Sequence, residues 1–359
     1  MDIFKYLEGM AVQHGPSGAE GEVSQWLKPQ FEALCDEVTI DALYNVVAVK
    51  KATRKTSDGS PAPRVMIAAH QDEIALMVSD ILPDGTLRMG QVGGVDPRIL
   101  PAATVTVHAK PDGKEPQKLL GVIGSTPPHL LSAADRQSNY TREALFVDLG
   151  LPVGEVKALV SIGDSITLQG PATKLLNDRV ASKTMDDRAC IGCLLDAAER
   201  LQKMSHICDI YFVATSQEEV GSKGAMTAAY AINPDLAVAL DVGHAIIPQS
   251  RPDTCLPLDA PALTYGPFIQ HKLLDNMKNV AKNHAIKINT EFAASSTYTD
   301  ADNIIIARTG IPTVLISLPL KYMHTTVETL DTKVLSECGR LLAHFIVDLE
   351  EGWDKELWN

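Results

Sequence analysis

The sequence contains no apolar run near the ~20 residues that a membrane-crossing helix needs, so a membrane-spanning chain is not expected. Its opening stretch, MDIFKYLEGMAVQHG, lacks a long apolar core and a cleavage-like end; that argues against a signal peptide and for a cytoplasmic protein. Cations are in deficit. Lys and Arg total 32 against 45 Asp and Glu, and the net charge of −13 speaks against nucleic acid or an anionic membrane as the main partner. Cysteine is sparse: six are scattered over 359 residues, which does not suggest a disulfide framework. Cys190 and Cys193 form one CxxC, but no second pair exists to complete a zinc ribbon. Their i, i+3 spacing in an apolar segment predicts one buried helix face. Internal repeats and low-complexity segments are absent.

What is present is an ordinary globular balance, 45% hydrophobic and 21% charged, long enough for one large core or two unequal ones. The run Asp209–Thr215 is apolar, β-branched and aromatic, and predicts a strand buried on both faces. Glu218 and Glu219 follow its end, and Gly221 releases the chain into a helix expected over Ser222–Tyr230. Two carboxylates at the mouth of a buried strand either serve the helix dipole or meet something positive.

Other segments repeat this α/β texture. An amphipathic helix is expected over 18–34, and a buried strand Arg64–Ala69 ends in His70-Gln71-Asp72-Glu73. A helix opens at Ser182–Arg188, an apolar strand Leu236–Leu240 ends in Asp241, and a strand Thr313–Ser317 precedes the turn Lys321–Thr326. A long terminal helix carries one apolar stripe from Leu330 to Leu349 that reads as core packing. Between Ile74 and Leu175 the texture differs: short β-like runs alternate with Gly, Pro and Asp turns and no long helical period. This predicts a small β-barrel or sandwich inserted into an α/β domain, at 74–175 between 1–73 and 176–359. His108 and His129 lie inside it and read as ordinary surface or turn histidines.

His70, Asp72, Asp186, Glu218, Glu219, Asp241 and His324 thus gather at predicted strand ends and adjoining loops. Imidazole mixed with carboxylate suits zinc, cobalt, manganese or iron better than an oxygen-only magnesium or calcium site. There are ligands enough for two ions if one carboxylate bridges. Two ions ~4 Å apart can activate a shared water and polarise a carbonyl. A further carboxylate would carry the proton, a role for one of the adjacent glutamates, and Asp72 can hold the imidazole of His70.

The motifs Ala69-His70-Gln71-Asp72-Glu73-Ile74, Met185-Asp186-Asp187-Arg188, Gln217-Glu218-Glu219-Val220-Gly221, Leu240-Asp241-Val242 and Tyr322-Met323-His324-Thr325 resemble the tetrahedral (TET) aminopeptidases, family forty-two of the metallopeptidases. Gly15-Pro16-Ser17-Gly18, Gly121–Gly124 and Gly310–Thr313 match as well, so the likeness runs nearly end to end. The resemblance implies a zinc-exopeptidase-like α/β domain, a mixed β-sheet sandwiched by helices, with an inserted barrel that serves dimerisation. It also implies that such dimers assemble into a tetrahedral dodecamer acting on short peptides. His70 and Asp241 would hold one metal and Glu219 and His324 the other, zinc or cobalt. Asp186 would bridge them, with a cis peptide to Asp187, Glu218 would be general base for a metal-bridged hydroxide, and Asp72 would back His70. Ala75, Cys190 and the stretch Ser296–Ala301 depart from the family's usual glycines, which leaves the preferred side chain open. His244 and His271 are weaker ligand candidates. An N-deacylase, a glycosidase and a non-enzymatic assembly protein are the competing readings.

Overall fold

The computed structural model describes residues 1–111, 113, 115–133, 137–251 and 253–353. The chain forms two compact units. The first comprises Met1–Asp72, Pro171–Met323 and the chain from Val327 onward; the second comprises Glu73–Gly170 with His324–Thr326.

In chain order the first unit opens with α1 (Ile3–Ala11), α2 (Gly21–Glu32), β1 (Glu37–Ile40), β2 (Val46–Lys50) and β3 (Arg64–His70). The second contributes β4 (Ala75–Ile81), β5 (Leu87–Val92), β6 (Thr104–Ala109), β7 (Gln117–Ser125), β8 (Leu145–Asp148), α3 (Val153–Leu159) and β9 (Ser165–Leu168). The first unit resumes with β10 (Thr173–Lys174), β11 (Arg179–Ser182), α4 (Met185–Leu201), β12 (Asp209–Thr215), α5 (Lys223–Ile232) and β13 (Leu236–His244). It ends with β14 (Ala262–Tyr265), α6 (His271–Asn283), β15 (Asn289–Phe292), α7 (Ala301–Ile304), β16 (Thr313–Leu320), β17 (Glu328–Asp331) and α8 (Thr332–Asp348).

Among the described residues, eight strands form one mixed sheet in the order β1-β2-β12-β3-β13-β16-β14-β15. Its centre, β12-β3-β13-β16, is parallel. That is why these strands read as unbroken apolar runs: every residue of β16, and all of β13 but its last, is buried. Helices supply the cover. Gly192 on α4 lets Tyr6 and Leu335 close in, since a Cβ there would stand 2.9 Å from the Tyr6 ring and 3.2 Å from Leu335. The α8 stripe lies in the same core, as its spacing predicts.

The second unit is a closed barrel, β4-β5-β8-β7-β6-β9, around Leu76, Val105, Val107, Leu145, Val147 and Ile166. The mixed α/β sheet and the separate barrel agree with the expected fold class. Four details differ from the sequence reading. Strand β13 runs on to His244, so Asp241 sits within the strand, not at its end. A three-stranded sheet, β10-β11-β17, was not anticipated, and a short helix, α3, interrupts the β texture. His108 is not a surface residue: it is buried on β6 with Nε2 2.8 Å from the Thr167 hydroxyl.

Candidate metal centre

The site begins where parallel strands end, the usual place for ligands in an open α/β sheet. His70 closes β3 opposite Thr215, which closes β12. Asp186 and Asp187 open α4 with non-helical backbone angles and a cis peptide between them. The Asp186 N–H donates to Glu328 of β17 at 3.2 Å. The turn after β12 is tight: the N–H groups of Gly221 and Ser222 both donate to the Glu218 carbonyl. Gly221 has φ +110°, where an L side chain would be strained.

Arg188 fastens this region from beneath. It is buried, and its guanidinium donates to the carbonyls of Gln71 (2.7 Å), Met10 (3.1 Å), Gln13 (2.9 Å) and Gly15 (3.4 Å). One planar fork thereby joins the N-terminal loop to the residue between His70 and Asp72.

Around His70 the functional groups converge. Its Nε2 lies 3.1 Å from Asp186 Oδ1 and 4.0 Å from Glu218 Oε2. Its Nδ1 lies 3.2 Å from the Asp72 carbonyl oxygen and 3.5 Å from Asp72 Oδ1. Its backbone N–H donates to Asp187 Oδ2 at 3.1 Å. Asp72 in turn accepts the Ser17 hydroxyl (2.6 Å) and the backbone N–H groups of Glu218 (3.0 Å) and Glu219 (3.2 Å). Ligand atoms of His70, Asp187 and Asp241 all lie within 4.8 Å of one another, and so do those of His70, Asp186 and Glu219.

These groups are electrostatically frustrated among themselves. Burial, reinforced by Asp187 and Asp186, raises Asp241 well above the usual carboxylate range. Burial likewise raises Asp187, whose Oδ1 is buried without a hydrogen-bond partner. Glu218 is pushed up to about 10, chiefly by burial, with Asp241, Asp300 and Glu219 adding and His70 opposing. Burial would lower His70, but the hydrogen bonds its ring donates to the Asp186 and Asp72 carboxylates, together with the carboxylate charges, outweigh it and hold the imidazolium well above its usual range. Asp72 is the exception: burial pushes it up, yet its hydrogen bonds with His70, Ser17 and Glu218 keep it low and ionised. So many buried carboxylates around one imidazole, one of them with an orphaned oxygen, fit a donor set for divalent cations.

The structure therefore brings His70, Asp72, Asp186, Glu218, Glu219 and Asp241 together. His324 packs with the second unit, where its Nδ1 is 2.9 Å from the Gly94 carbonyl oxygen. His244 and His271 are exposed, and neither belongs to a ligand cluster among the described residues. Sequence reasoning missed Asp187 as a member of the cluster, although its place beside Asp186 was a signal. It also missed Asp300, which accepts the Thr215 hydroxyl at 2.5 Å, and Glu20, which accepts the Gln217 N–H at 3.1 Å. No local pattern distinguishes either.

A buried imidazole–carboxylate cluster at the ends of parallel strands, with a protonatable glutamate beside it, defines a metal-dependent hydrolase. The chain belongs to the M42 glutamyl aminopeptidase family, whose model matches residues 45–341, and it is accordingly an aminopeptidase, a hydrolase of peptide bonds. It is 35% identical to the lysyl aminopeptidase of Pyrococcus furiosus over 88% of both chains. Its fold matches the TET aminopeptidase of the marine sediment archaeon Thaumarchaeota archaeon SCGC AB-539-E09 with a TM-score of 0.90 at 29% identity, covering 99% of this chain and 98% of that one. It also matches the Pyrococcus horikoshii TET1 peptidase, which can assemble into a tetrahedron or a large octahedral shell, with a TM-score of 0.81 at 26% identity. That match covers 97% of this chain and all of the other. Among the described residues no helix is long and apolar enough to cross a membrane.

Proposed function

We propose that this chain is a dinuclear metal-dependent aminopeptidase that removes N-terminal residues from short peptides. The observation that carries the reading is the position of Glu218. Its carboxylate faces the cluster 4.0 Å from His70 Nε2, and its backbone is pinned to the same Asp72 that steadies the His70 ring. In this reading His70, Asp186, Glu219 and Asp241 hold two divalent ions, zinc or cobalt. Asp187 stands close enough to His70 and Asp241 to join them. His324 enters as a ligand on the strength of the family resemblance. Bound there, such ions would supply Lewis-acid polarisation of the scissile carbonyl and lower the pKa of the attacking water. Glu218 would take a proton from the attacking water and return it to the departing amine, so one carboxylate would serve as base and then as acid. Ser222 keeps the group aimed, donating its hydroxyl to Glu218 Oε1 at 3.3 Å.

By analogy with the shells formed by the Pyrococcus horikoshii peptidase, we also propose a homo-oligomer. Its barrel would serve dimerisation, the dimers would assemble into a dodecamer, and the location would be cytoplasmic.

The test is Glu218→Gln with metal content measured alongside. The expected result is close to two transition-metal ions per chain in both proteins and a fall in kcat of about 10²–10⁴, the range for losing a general base. A metal-loaded variant that cleaves peptides at the wild-type rate would sink the assignment.

A further inference from the structure

We propose that Glu291 sets the specificity of this site, its carboxylate selecting peptides whose N-terminal residue is basic, lysine or arginine. The inference rests on the aminopeptidase reading above and adds the substrate class. Glu291 stands on the edge strand β15, half-buried, and reaches inward over the sheet. Two buried hydroxyls hold its Oε2: Ser317 donates at 2.5 Å and Thr264 at 2.8 Å. Its Oε1 lies over Gly243, where a Cβ would come within 2.9 Å of that oxygen. A glycine here leaves the space that the carboxylate occupies.

This position is tied to the metal centre by strand register. Ser317 on β16 is the pairing partner of Asp241 on β13. Gly243 lies two residues beyond Asp241 and so on the same face of the strand. Two residues of strand span about 6.6 Å, a distance that the flexible four-carbon stem of lysine can cover. A substrate whose scissile carbonyl sits at the cluster can therefore direct its first side chain along β13 to Glu291.

The electrostatics favour a cation there. Two neutral hydroxyls compensate only part of the desolvation of a half-buried carboxylate, and among the described residues no lysine, arginine or histidine pairs with it. A substrate ammonium or guanidinium would supply a charge-assisted hydrogen bond. A substrate carboxylate would instead meet like charge.

The experiment measures kcat/KM of the metal-loaded enzyme on aminoacyl p-nitroanilides of Lys, Arg, Leu, Ala, Glu and Asp, for the wild type and Glu291→Gln. The wild type is expected to favour Lys and Arg over Leu by about tenfold or more and to disfavour Glu and Asp further. In the variant the Lys-to-Leu ratio should fall by about ten- to a hundredfold. A ratio unchanged by the substitution, or a wild type that prefers Glu, overturns the specificity while the aminopeptidase reading stands. Absence of turnover on every substrate overturns both. A second measurement does not depend on the variant's folding: inhibition of the wild type by lysine amide should be tighter than by norleucine amide, which has a similar stem without the charge. Equal inhibition overturns the proposal.

Discussion

The Asp72 carboxylate accepts the backbone N–H of Glu218 at 3.0 Å. The residue that steadies the His70 imidazole from one side therefore also fixes the start of the Glu218–Glu219 turn from the other. The link crosses 146 positions of sequence and couples a candidate ligand to the candidate base through one buried group.

Replacing Asp72 by Asn tests this coupling. The amide keeps one oxygen acceptor but presents an NH₂ group toward partners that all donate: Ser17, Glu218 and Glu219. Loss of such an outer partner costs about 10–100-fold in metal affinity or activity. At saturating zinc or cobalt, Asp72→Asn should lower kcat by that amount with a smaller change in KM. Steady-state kinetics at several metal concentrations check it. If added metal alone restores the full rate, Asp72 acts on affinity and not on the base.

Glu20 lies beneath the same turn and predicts a pH effect on stability. Its Oε1 accepts the N–H groups of Gly18 (2.8 Å) and Gln217 (3.1 Å), and its Oε2 is buried without a partner. Burial pushes the carboxyl up to about 7, the Gly18 N–H opposing and the Asp72 charge adding. Between the ordinary glutamate range and about 7 the folded protein thus holds more protons than the unfolded one, so Glu20 makes stability fall as pH rises through that window. Glu20→Gln removes the titration and keeps an acceptor for both N–H groups. The variant should gain on the wild type between pH 4.5 and 7.5, by on the order of 2–3 kcal/mol at most. Denaturant unfolding at the two pH values measures it; a difference that does not change with pH would mean the carboxylate is carried without penalty.

The sequence made strands and candidate ligands legible for the same reason. Parallel strands buried on both faces are apolar throughout, so the polar residues His70 and Glu218 stand out where β3 and β12 run out. Asp241 was legible as a charge but not as a strand interior, because Val242 and Gly243 carry no mark of whether pairing with β16 continues. The partners that tune the site were hidden by distance along the chain: Ser17 meets Asp72 across 55 positions and Thr215 meets Asp300 across 85. Serine, threonine and aspartate are ordinary loop residues until the fold brings them together. Arg188 belongs to a legible motif, but its work does not follow from the motif, since its partners are backbone carbonyls, which every residue has.

That work defines the last prediction. The Arg188 guanidinium is buried and donates to four carbonyls: Met10 in the last turn of α1, Gln13 and Gly15 in the loop after it, and Gln71. Lysine at this position would keep the charge but lose the planar fork, so its three donors could not reach the same set. Methionine would fill much of the volume and leave every one of those acceptors without this donor. Each unsatisfied buried acceptor costs about 1–3 kcal/mol, which makes Arg188→Met the more damaging change, with a total of several kcal/mol. Arg188→Lys should fall between it and the wild type. Because Gln71 sits between His70 and Asp72, both variants should also lose metal affinity in the same order as they lose stability. Denaturant unfolding of the metal-free proteins, followed by zinc titration, separates the two effects. A stable Arg188→Met protein with wild-type zinc affinity would show that the loop and the strand end hold their places without the clamp, and the account of how the fold builds the centre would then have to rest on the sheet alone.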